Sequence, residues 1–334
     1  MSWHSIIYGL HVCANLTIPG ISQQKTARED TIDINLIWGE FPSWLQKLCQ
    51  QSRDEYFVSS WLTETGKPHL SIFELAEGKF YFFQYPETVK FVVSSDAKAV
   101  WGNWQDTCSL EFASLIFLGP IMGFLLRLRG TTCLHASCLV VNNSAIAIIG
   151  PSGAGKSTTV AAFAAKGYPI LSDDVVPLMK REKQYCAIPG YPRLRLWPES
   201  AVRICGEEKV LPCLAPNYDK RYLTLPKDTF CHEPYPLQAI YLLDYQSETK
   251  ELAMIDDGSA QNFIQLVANT YRPELLNPIM RKQEFFFLTQ LLNQTKVRRI
   301  VGYRDFAKLP QLCDLILDNS QLLSAESSSL VKKS

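Results

Sequence analysis

One run of residues has the types and spacing of a loop that binds phosphate. It satisfies G-x-x-x-x-G-K-[ST] at every position and reads Gly150-Pro151-Ser152-Gly153-Ala154-Gly155-Lys156-Ser157, followed by Thr158. Glycines in such a loop let successive backbone N–H groups turn toward a phosphate, and the lysine adds a positive charge beside the terminal phosphates. The hydroxyl of the serine binds Mg²⁺, and the positive end of a following helix faces the anion. The run predicts a site for Mg²⁺ with ATP or GTP.

Two adjacent acids follow this loop. Asp173 and Asp174 end the next apolar segment, 17 and 18 residues after Lys156. Acids at the carboxyl end of a strand face the ligand crevice of an open α/β sheet. One carboxylate of this pair can hold Mg²⁺, and the other can accept the proton of an attacking hydroxyl.

Basic residues form a further candidate group. Arg193 and Arg195 alternate on an extended segment, so both can point to one side. Paired guanidinium groups near a nucleotide suit a transferring phosphoryl group or a phosphorylated product. A solvated edge strand explains the same pattern equally well. Lys220-Arg221 is a similar but weaker candidate.

The elements around the loop have the order of a nucleotide-binding core. Two apolar runs, Leu139–Val141 and Ala145–Ile149, are separated by Asn142-Asn143-Ser144, which predicts a hairpin. The second run leads into the loop, and an alanine-rich helix follows up to Lys166-Gly167. A buried strand, Pro169–Leu171, comes next. Strand, loop, helix and strand together predict an α/β fold.

The chain after this core, from residue 186 onward, has a less regular pattern. Residues 186–236 hold 8 of the 19 prolines, and we expect them to be irregular. A strand, two helices, a strand and a last helix are predicted over Leu237–Leu243, Ala260–Asn269, Gln283–Asn293, Val297–Val301 and Phe306–Leu317. The serine-rich tail, 319–334, is predicted to be disordered.

The first part of the chain, 1–107, reads as short strands with turns between them, and it has no cluster of catalytic residue types. We interpret it as a small strand-rich domain with a possible role in recognising an acceptor, ahead of a catalytic domain over 108–318. The most apolar window, Phe112–Leu126, is too short to span a bilayer and is interrupted by Gly119-Pro120. We expect a buried helix there.

Composition excludes several classes of protein. The 33 basic and 33 acidic side chains give a formal net charge of zero, which argues against a nucleic-acid partner. The ten cysteines include no C-x-x-C pair, so a zinc ribbon is excluded and free thiols are expected. The N-terminus lacks the pattern of a signal peptide. We expect a cytoplasmic protein with no membrane partner.

The loop and its surroundings resemble the HPr kinase/phosphorylase family of P-loop kinases, which are relatives of phosphoenolpyruvate carboxykinase. In that family a histidine precedes the loop, a helix ends in Arg/Lys-Gly, and a strand ends in Asp-Asp. The matching stretches here are Leu134-His135-Ala136-Ser137, Lys166-Gly167-Tyr168 and Leu171-Ser172-Asp173-Asp174. The resemblance covers about residues 125–180.

This resemblance implies a kinase core of the HPr kinase/phosphoenolpyruvate carboxykinase type, using ATP and Mg²⁺. It implies Asp174 as proton acceptor with His135 as its partner, which leaves Asp173 to orient Mg²⁺ directly or through water. By spacing alone, Glu199 would be a second carboxylate for the metal. The family has an acid where this chain has Thr158, and its Glu-x-Arg-Gly-Leu-Gly signature is replaced by Pro189–Pro198. That segment looks like the branch that modifies lasso-peptide precursors.

The resemblance favours a kinase that phosphorylates a hydroxyl, most simply a serine, of a peptide or protein acceptor. Two alternatives stay open. One is a small-molecule kinase or a carboxykinase-like enzyme, and the other is a nucleotide-gated adaptor without enzymatic activity. A switch of that last kind needs no general base, which weighs against it. Assembly into a homo-oligomer is left open by the sequence.

Overall fold

A computed structural model of the chain describes residues 2–24, 32–51, 53–206, 211, 213–215, 218–244, 251–302 and 305–331. The chain folds as two compact units. The first comprises Met1–Gly130 with Leu214–Tyr218, and the second comprises Thr131–Cys213 with Asp219–Ser334. The boundary therefore falls at Gly130, whereas the sequence predicted it at residue 107.

The first unit is built on an eight-stranded mixed sheet. Its strands are β1 Trp3–Ile7, β2 Leu10–Ala14, β3 Ile34–Trp38, β4 Asp54–Val58, β5 Ser71–Leu75, β6 Phe80–Gln84, β7 Val89–Ser94 and β8 Ala99–Trp104. Their order in the sheet is β1-β2-β3-β8-β7-β6-β5-β4. The pairs β2–β3 and β3–β8 are parallel and the other pairs are antiparallel. The strand-rich character expected of this region is present.

Helices of the first unit include one that differs from the prediction. Helix α1 spans Ser43–Gln50, and a longer segment joins α2 (Leu110–Ile116), a π-helical turn (Phe117–Ile121) and α3 (Met122–Leu128). The chain was expected to break at Gly119-Pro120, but it stays helical. The π-helical turn contains Pro120. Such a widened turn accommodates a residue that has no N–H to donate.

The long helical segment Leu110–Leu128 packs within the first unit. Tyr8 donates a hydrogen bond from its hydroxyl to the carbonyl oxygen of Leu118 at 3.1 Å. The ring centroid of Phe124 lies 5.0 Å from that of Tyr81. These contacts explain why the unit extends to Gly130. Among the described residues this is the one helix long and apolar enough to cross a membrane, but 78% of its apolar window is buried inside the protein, as in the buried core helix that was expected.

From residue 131 onward the strands are β9 Thr132–Leu134, β10 Ala136–Val141, β11 Ser144–Ile149, β12 Ile170–Asp173, β13 Val176–Arg181, β14 Gln184–Ala187, β15 Arg193–Leu196, β16 Cys213–Ala215, β17 Tyr218–Thr224, β18 Tyr235–Asp244, β19 Ala253–Ile255 and β20 Lys296–Val301. The large sheet runs β12-β10-β11-β18-β14-β13-β9, and β20 also pairs with β18. Within this sheet, the pairs β11–β18 and β18–β20 are parallel and the other described strand pairs are antiparallel. The second unit is thus a mixed α/β structure with a short parallel centre.

The predicted hairpin is present as β10 and β11. Its turn residues Asn142 and Asn143 have φ of +48° and +59°. Asparagine is one of the few residue types that tolerate this left-handed region, so the sequence fits the turn. The hairpin fixes the strand that leads into the glycine-rich loop.

Helices cover both faces of the large sheet. They are α4 Lys156–Ala165, α5 Pro198–Cys205, α6 Ser259–Ala268, α7 Pro278–Leu291 and α8 Leu309–Val331. One buried cluster includes residues of α4 and α8 with Ile146 and Ile148 of β11. Another includes residues of α6 and α7 with Ala147 and Ile149 of the same strand. Successive side chains of β11 therefore point to opposite faces of the sheet, as the two-residue period of a strand requires.

Two predictions for this unit were wrong. The tail expected to be disordered from Asn319 is helical up to Val331, because α8 carries a buried stripe that includes Leu312, Ile316 and Leu323. This stripe packs in the cluster that contains α4. The proline-rich segment expected to be irregular includes α5 and the antiparallel pair β15–β17.

Candidate functional site

The glycine-rich loop joins the end of β11 at Ile149 to the start of α4 at Lys156. Gly150, Gly153 and Gly155 have φ of +146°, +81° and +93°. Side chains disfavour these backbone angles. At Gly150 a Cβ would also lie 2.8 Å from the carbonyl oxygen of Leu243. Glycine is therefore required here both by the backbone angles and by the approach of β18.

Lys156 folds back over this loop. Its Nζ donates hydrogen bonds to the carbonyl oxygens of Gly150 at 2.8 Å and Pro151 at 3.2 Å. Burial lowers the pKa of Lys156 to about 8, although the carboxylates of Asp174 and Asp173 oppose the shift. The ammonium group is thus partly desolvated, a condition in which an anionic ligand interacts with it more strongly than in water.

Asp173 is held by three hydrogen bonds. The hydroxyls of Ser157 and Ser137 donate to its Oδ1 at 2.8 and 2.6 Å. The backbone N–H of Arg195 donates to its Oδ2 at 2.9 Å. These donors come from α4, β10 and β15, so three elements fix one carboxylate at the mouth of the loop.

Ser157 and Asp173 are the residues that could hold a metal ion. The described residues contain no group of three or more His, Cys, Asp or Glu side chains suited to a metal. Mg²⁺ is commonly held by only one or two protein oxygens, with substrate phosphates and water as the remaining ligands. The adjacent hydroxyl and carboxylate oxygens fit that requirement, whereas they do not make a closed metal cage.

Asp174 follows the strand with a backbone φ of +72°. Asp173 is still part of β12, so Asp174 is the first residue after the strand. Its Oδ2 accepts a hydrogen bond from Nη1 of Arg195 at 3.0 Å. Burial raises the pKa of Asp174, but the positive charge of Arg195 and that of His135 when its ring is protonated, with smaller effects of Lys220 and Lys156, lower it below its usual value overall.

His135 lies beside Asp174. Its Nδ1 is 3.2 Å from the carbonyl oxygen of Asp174 and 3.5 Å from the Oδ1 of that residue. A carbonyl oxygen only accepts, so Nδ1 carries the proton and Nε2 is the acceptor in the neutral ring. Burial lowers the pKa of His135 below its usual value, although the charge of Asp174 works against the shift. The neutral ring is therefore favoured at pH 7.

Arg195 connects the acids to the neighbouring strand. Besides Asp174, its guanidinium donates from Nη2 to the hydroxyl oxygen of Tyr191 at 2.9 Å. Arg193 is placed differently, because its guanidinium carbon lies 4.5 Å from the ring centroid of Tyr222. The structure thus brings one arginine of the predicted pair to the acids and stacks the other on a tyrosine.

One pocket, here called the loop pocket, collects most of the predicted residues. It is lined by His135, Ser137, Ser152, Gly153, Gly155, Lys156, Ser157, Thr158, Asp173, Asp174, Arg195, Trp197 and Lys220. Arg193 does not line it. Glu199 does not line it either, since it is exposed in the first turn of α5. The metal-binding role expected of Glu199 therefore has no support in the geometry.

Sequence reasoning missed two residues that shape this pocket. Ser137, which donates a hydrogen bond to Asp173, is two residues after His135 and lies near the start of β10; the alternation of side chains along extended backbone could have indicated it. Asn269 accepts a hydrogen bond at Oδ1 from the backbone N–H of Gly150 at 3.0 Å. Its carbonyl oxygen accepts one from the N–H of His135 at 2.8 Å. No local pattern marks Asn269, which follows α6.

Comparison with known proteins finds a likeness among solved structures. No family model matches the chain, and no curated protein matches it. Among solved structures, the chain is similar to the Hpr(Ser) kinase/phosphatase from Coxiella burnetii, with 14% identity and a TM-score of 0.34 over 60% of this chain and 96% of that one. This is a distant likeness of fold, so the chemistry of the loop pocket is inferred from its own contacts.

Proposed function

We propose that the protein is a kinase that transfers the γ-phosphoryl group of ATP to a hydroxyl, that of a serine in a peptide or protein, with Mg²⁺. The observation that carries the proposal is the contact of 2.8 Å between Ser157 and Asp173. This contact joins Ser157, which follows Lys156 in helix α4, to the carboxylate of Asp173 at the end of strand β12. Asp174, the next residue, faces the same pocket.

The loop supplies the binding of the triphosphate. The backbone from Gly153 to Ser157 turns its N–H groups toward a bound anion, and α4 adds the positive end of its dipole. Lys156 already lies over the loop and exchanges its carbonyl partners for phosphate oxygens. Mg²⁺, held by Ser157 and Asp173, would neutralise charge on the β- and γ-phosphates.

Transfer of the phosphoryl group requires an acceptor hydroxyl beside Asp174. The acceptor oxygen forms a bond to the γ-phosphorus, the bond from that phosphorus to the β,γ-bridging oxygen breaks, and ADP leaves. The hydroxyl proton passes to a carboxylate oxygen of Asp174. His135 and Arg195 orient this carboxylate, since both contact it directly. Arg195 also keeps Asp174 ionised, which is the form that can accept the proton.

A polypeptide acceptor is supported by the resemblance to kinases that modify peptides. The first unit offers a second reason, because β1 and β4 are the outermost strands of its sheet. An outer strand can pair with an extended peptide through backbone hydrogen bonds. A small-molecule acceptor, phosphoenolpyruvate chemistry or nucleotide binding without transfer are the outcomes against which this proposal is tested.

The test measures transfer of radiolabelled γ-phosphate from ATP by the full chain in the presence of Mg²⁺. Acceptors are a library of serine-containing peptides, the same peptides with alanine in place of serine, and a set of small hydroxy acids. We expect labelling of serine peptides alone. Labelling of the hydroxy acids would instead identify the protein as a small-molecule kinase.

A matched pair of variants ties the activity to the loop. Lys156→Ala should lower transfer roughly a hundredfold to a thousandfold, the usual effect of removing one group that stabilises transition-state charge. Lys166→Ala is the control, because Lys166 is exposed at the other end of α4 and pairs with Asp314. Folded Lys156→Ala protein with wild-type transfer would contradict the proposal.

A further inference from the structure

A second pocket lies beside the loop pocket in the same unit, and we call it the side pocket. It shares Gly155 and Thr158 with the loop pocket. The two pockets therefore adjoin at the start of α4, so a ligand that extends from the loop pocket past this turn reaches the side pocket.

The two pockets differ in chemistry. The loop pocket is lined by charged groups, among them Lys156, Asp174 and Arg195. The side pocket has an apolar wall made by Leu252, Phe306, Leu309 and Leu312. A charged cradle next to an apolar wall with an aromatic ring matches a ligand that has a polyphosphate at one end and a flat ring system at the other.

The positions of Asp173 and Asp174 determine how such a ligand would be oriented. A terminal phosphate near Asp173 and Asp174 places the rest of the polyphosphate along the loop, toward the first turn of α4. Thr158 lies in that turn and lines both pockets. The end of the ligand that is remote from the acids therefore enters the side pocket.

We propose that the side pocket is the nucleoside subsite, in which Phe306 packs against the base and Asp305 accepts hydrogen bonds from base or ribose donors. This inference rests on the proposed function. Phe306 is half-buried, and the guanidinium carbon of Arg203 lies 5.3 Å from its ring centroid. Asp305 is exposed at the rim and uses Oδ1 to accept the N–H of Ala307 at 2.9 Å.

The test measures the contribution of the nucleoside to the binding affinity separately from that of the phosphates. Calorimetry on the full chain with Mg²⁺ compares the Kd of ATP with the Kd of inorganic tripolyphosphate, which has no nucleoside. Wild-type protein should bind ATP at least about tenfold more tightly, since stacking of a base on an aromatic ring typically contributes that much or more. Phe306→Ala should weaken ATP binding about tenfold and leave tripolyphosphate binding unchanged.

Two comparisons make the result specific. Phe286→Ala removes an exposed phenylalanine of α7 that lines neither pocket, and it should change neither Kd. Lys156→Ala should weaken both ligands together, because it acts on the phosphates.

The outcomes distinguish the subsite from the proposed function. If Phe306→Ala binds ATP as wild type does, or if it weakens both ligands equally, the nucleoside subsite is overturned while the loop assignment stands. Should Phe306→Ala fail to fold, wild-type protein decides, because equal affinity for the two ligands overturns the subsite. Absence of binding by either ligand overturns the proposed function as well.

Discussion

Arg195 and Asp174 form an ion pair of 3.0 Å that links strand β15 to the end of β12. Both side chains are largely shielded from solvent, with 10% and 17% of their areas exposed. A buried charge is stable only when it is paired. The pair therefore keeps a carboxylate ionised in a pocket where burial alone would favour its protonation.

Replacing Arg195 should change the pH dependence of transfer. The charge of Arg195 helps to hold the pKa of Asp174 below the usual value of an aspartate. Without it, burial dominates and the pKa rises. Because the ionised form is lost as pH falls through the pKa, the acidic limb of the kcat/KM profile in Arg195→Met should move to higher pH. Arg193→Met is the control, because Arg193 stacks on Tyr222, and it should keep the acidic limb of the wild type. Equal acidic limbs in the wild type and both variants would argue against a role of Arg195 in keeping Asp174 ionised.

The two acids should respond differently to conversion into amides. Asp174→Asn should lower transfer by roughly 10²–10⁴-fold, the range typical of losing a general base, while Mg·ATP affinity changes less than about tenfold. Asp173→Asn should raise the Mg²⁺ concentration needed for half-maximal rate and lower the rate as well. Asparagine is the suitable substitute at position 174, since it tolerates the φ of +72°. Phosphate incorporation and calorimetry measure both effects.

His135→Ala should resemble Asp174→Asn in a milder form, because His135 orients the acid. If Asp174→Asn loses ATP binding while Asp173→Asn loses only turnover, the two roles are exchanged. A loss of rate in His135→Ala larger than that in Asp174→Asn would instead assign proton transfer to Nε2 of His135. Wild-type turnover in both aspartate variants would exclude the proposed chemistry.

Nucleotide affinity should depend on pH through Lys156. The pKa of Lys156 in the free protein is lowered to about 8, and a bound triphosphate stabilises the charged form. Above pH 8 the free lysine loses its proton, so binding must take one up and the Kd of Mg·ATP should rise by up to about tenfold per pH unit. Calorimetry in two buffers of different ionisation enthalpy should detect little proton uptake at pH 7 and substantial uptake at pH 9. Lys166→Met should behave as wild type, and a pH-independent Kd over this interval would refute the prediction.

Asn269 should be required for the shape of the loop. In Asn269→Ala the buried N–H of Gly150 loses its acceptor, and leaving such a group unsatisfied costs about 1–3 kcal/mol. We expect Mg·ATP affinity to fall about tenfold or more, together with a lower Tm. Asn293→Ala, at an exposed position after α7, is the control. An Asn269→Ala protein with unchanged Tm and Kd would show that the loop keeps its shape without this contact.

The parts of the site that depend on short-range chemistry could be predicted from the sequence. The spacing from Gly150 to Ser157 fixes the loop, and the asparagines of the hairpin fix the strand before it. Asn269 could not be predicted, because it is 119 residues from Gly150 in the chain and meets it only after folding. Glu199 was assigned by spacing alone, and the start of α5 directs it to solvent.

Local composition gives the wrong prediction at two places where tertiary packing decides the structure. Gly119-Pro120 would end an isolated helix, yet buried contacts of the surrounding apolar residues keep the segment helical. The serines after Asn319 favour disorder in isolation, but they extend a helix that is already anchored by Leu312 and Ile316. In both cases tertiary burial outweighs intrinsic propensity, which disfavours a helix interior by about 1 kcal/mol for glycine, about 3 kcal/mol for proline and less than about 1 kcal/mol for serine.

The hydrogen bonds that hold Lys156 against its own loop have an entropic consequence. A free lysine side chain carries about 2 kcal/mol of rotamer entropy, which a flexible chain would lose when it first ordered around a ligand. Lys156 has already lost much of this freedom on folding, because Gly150 and Pro151 fix its ammonium group. An arriving triphosphate therefore meets a preorganised cation, and more of the attraction between the two remains as binding free energy.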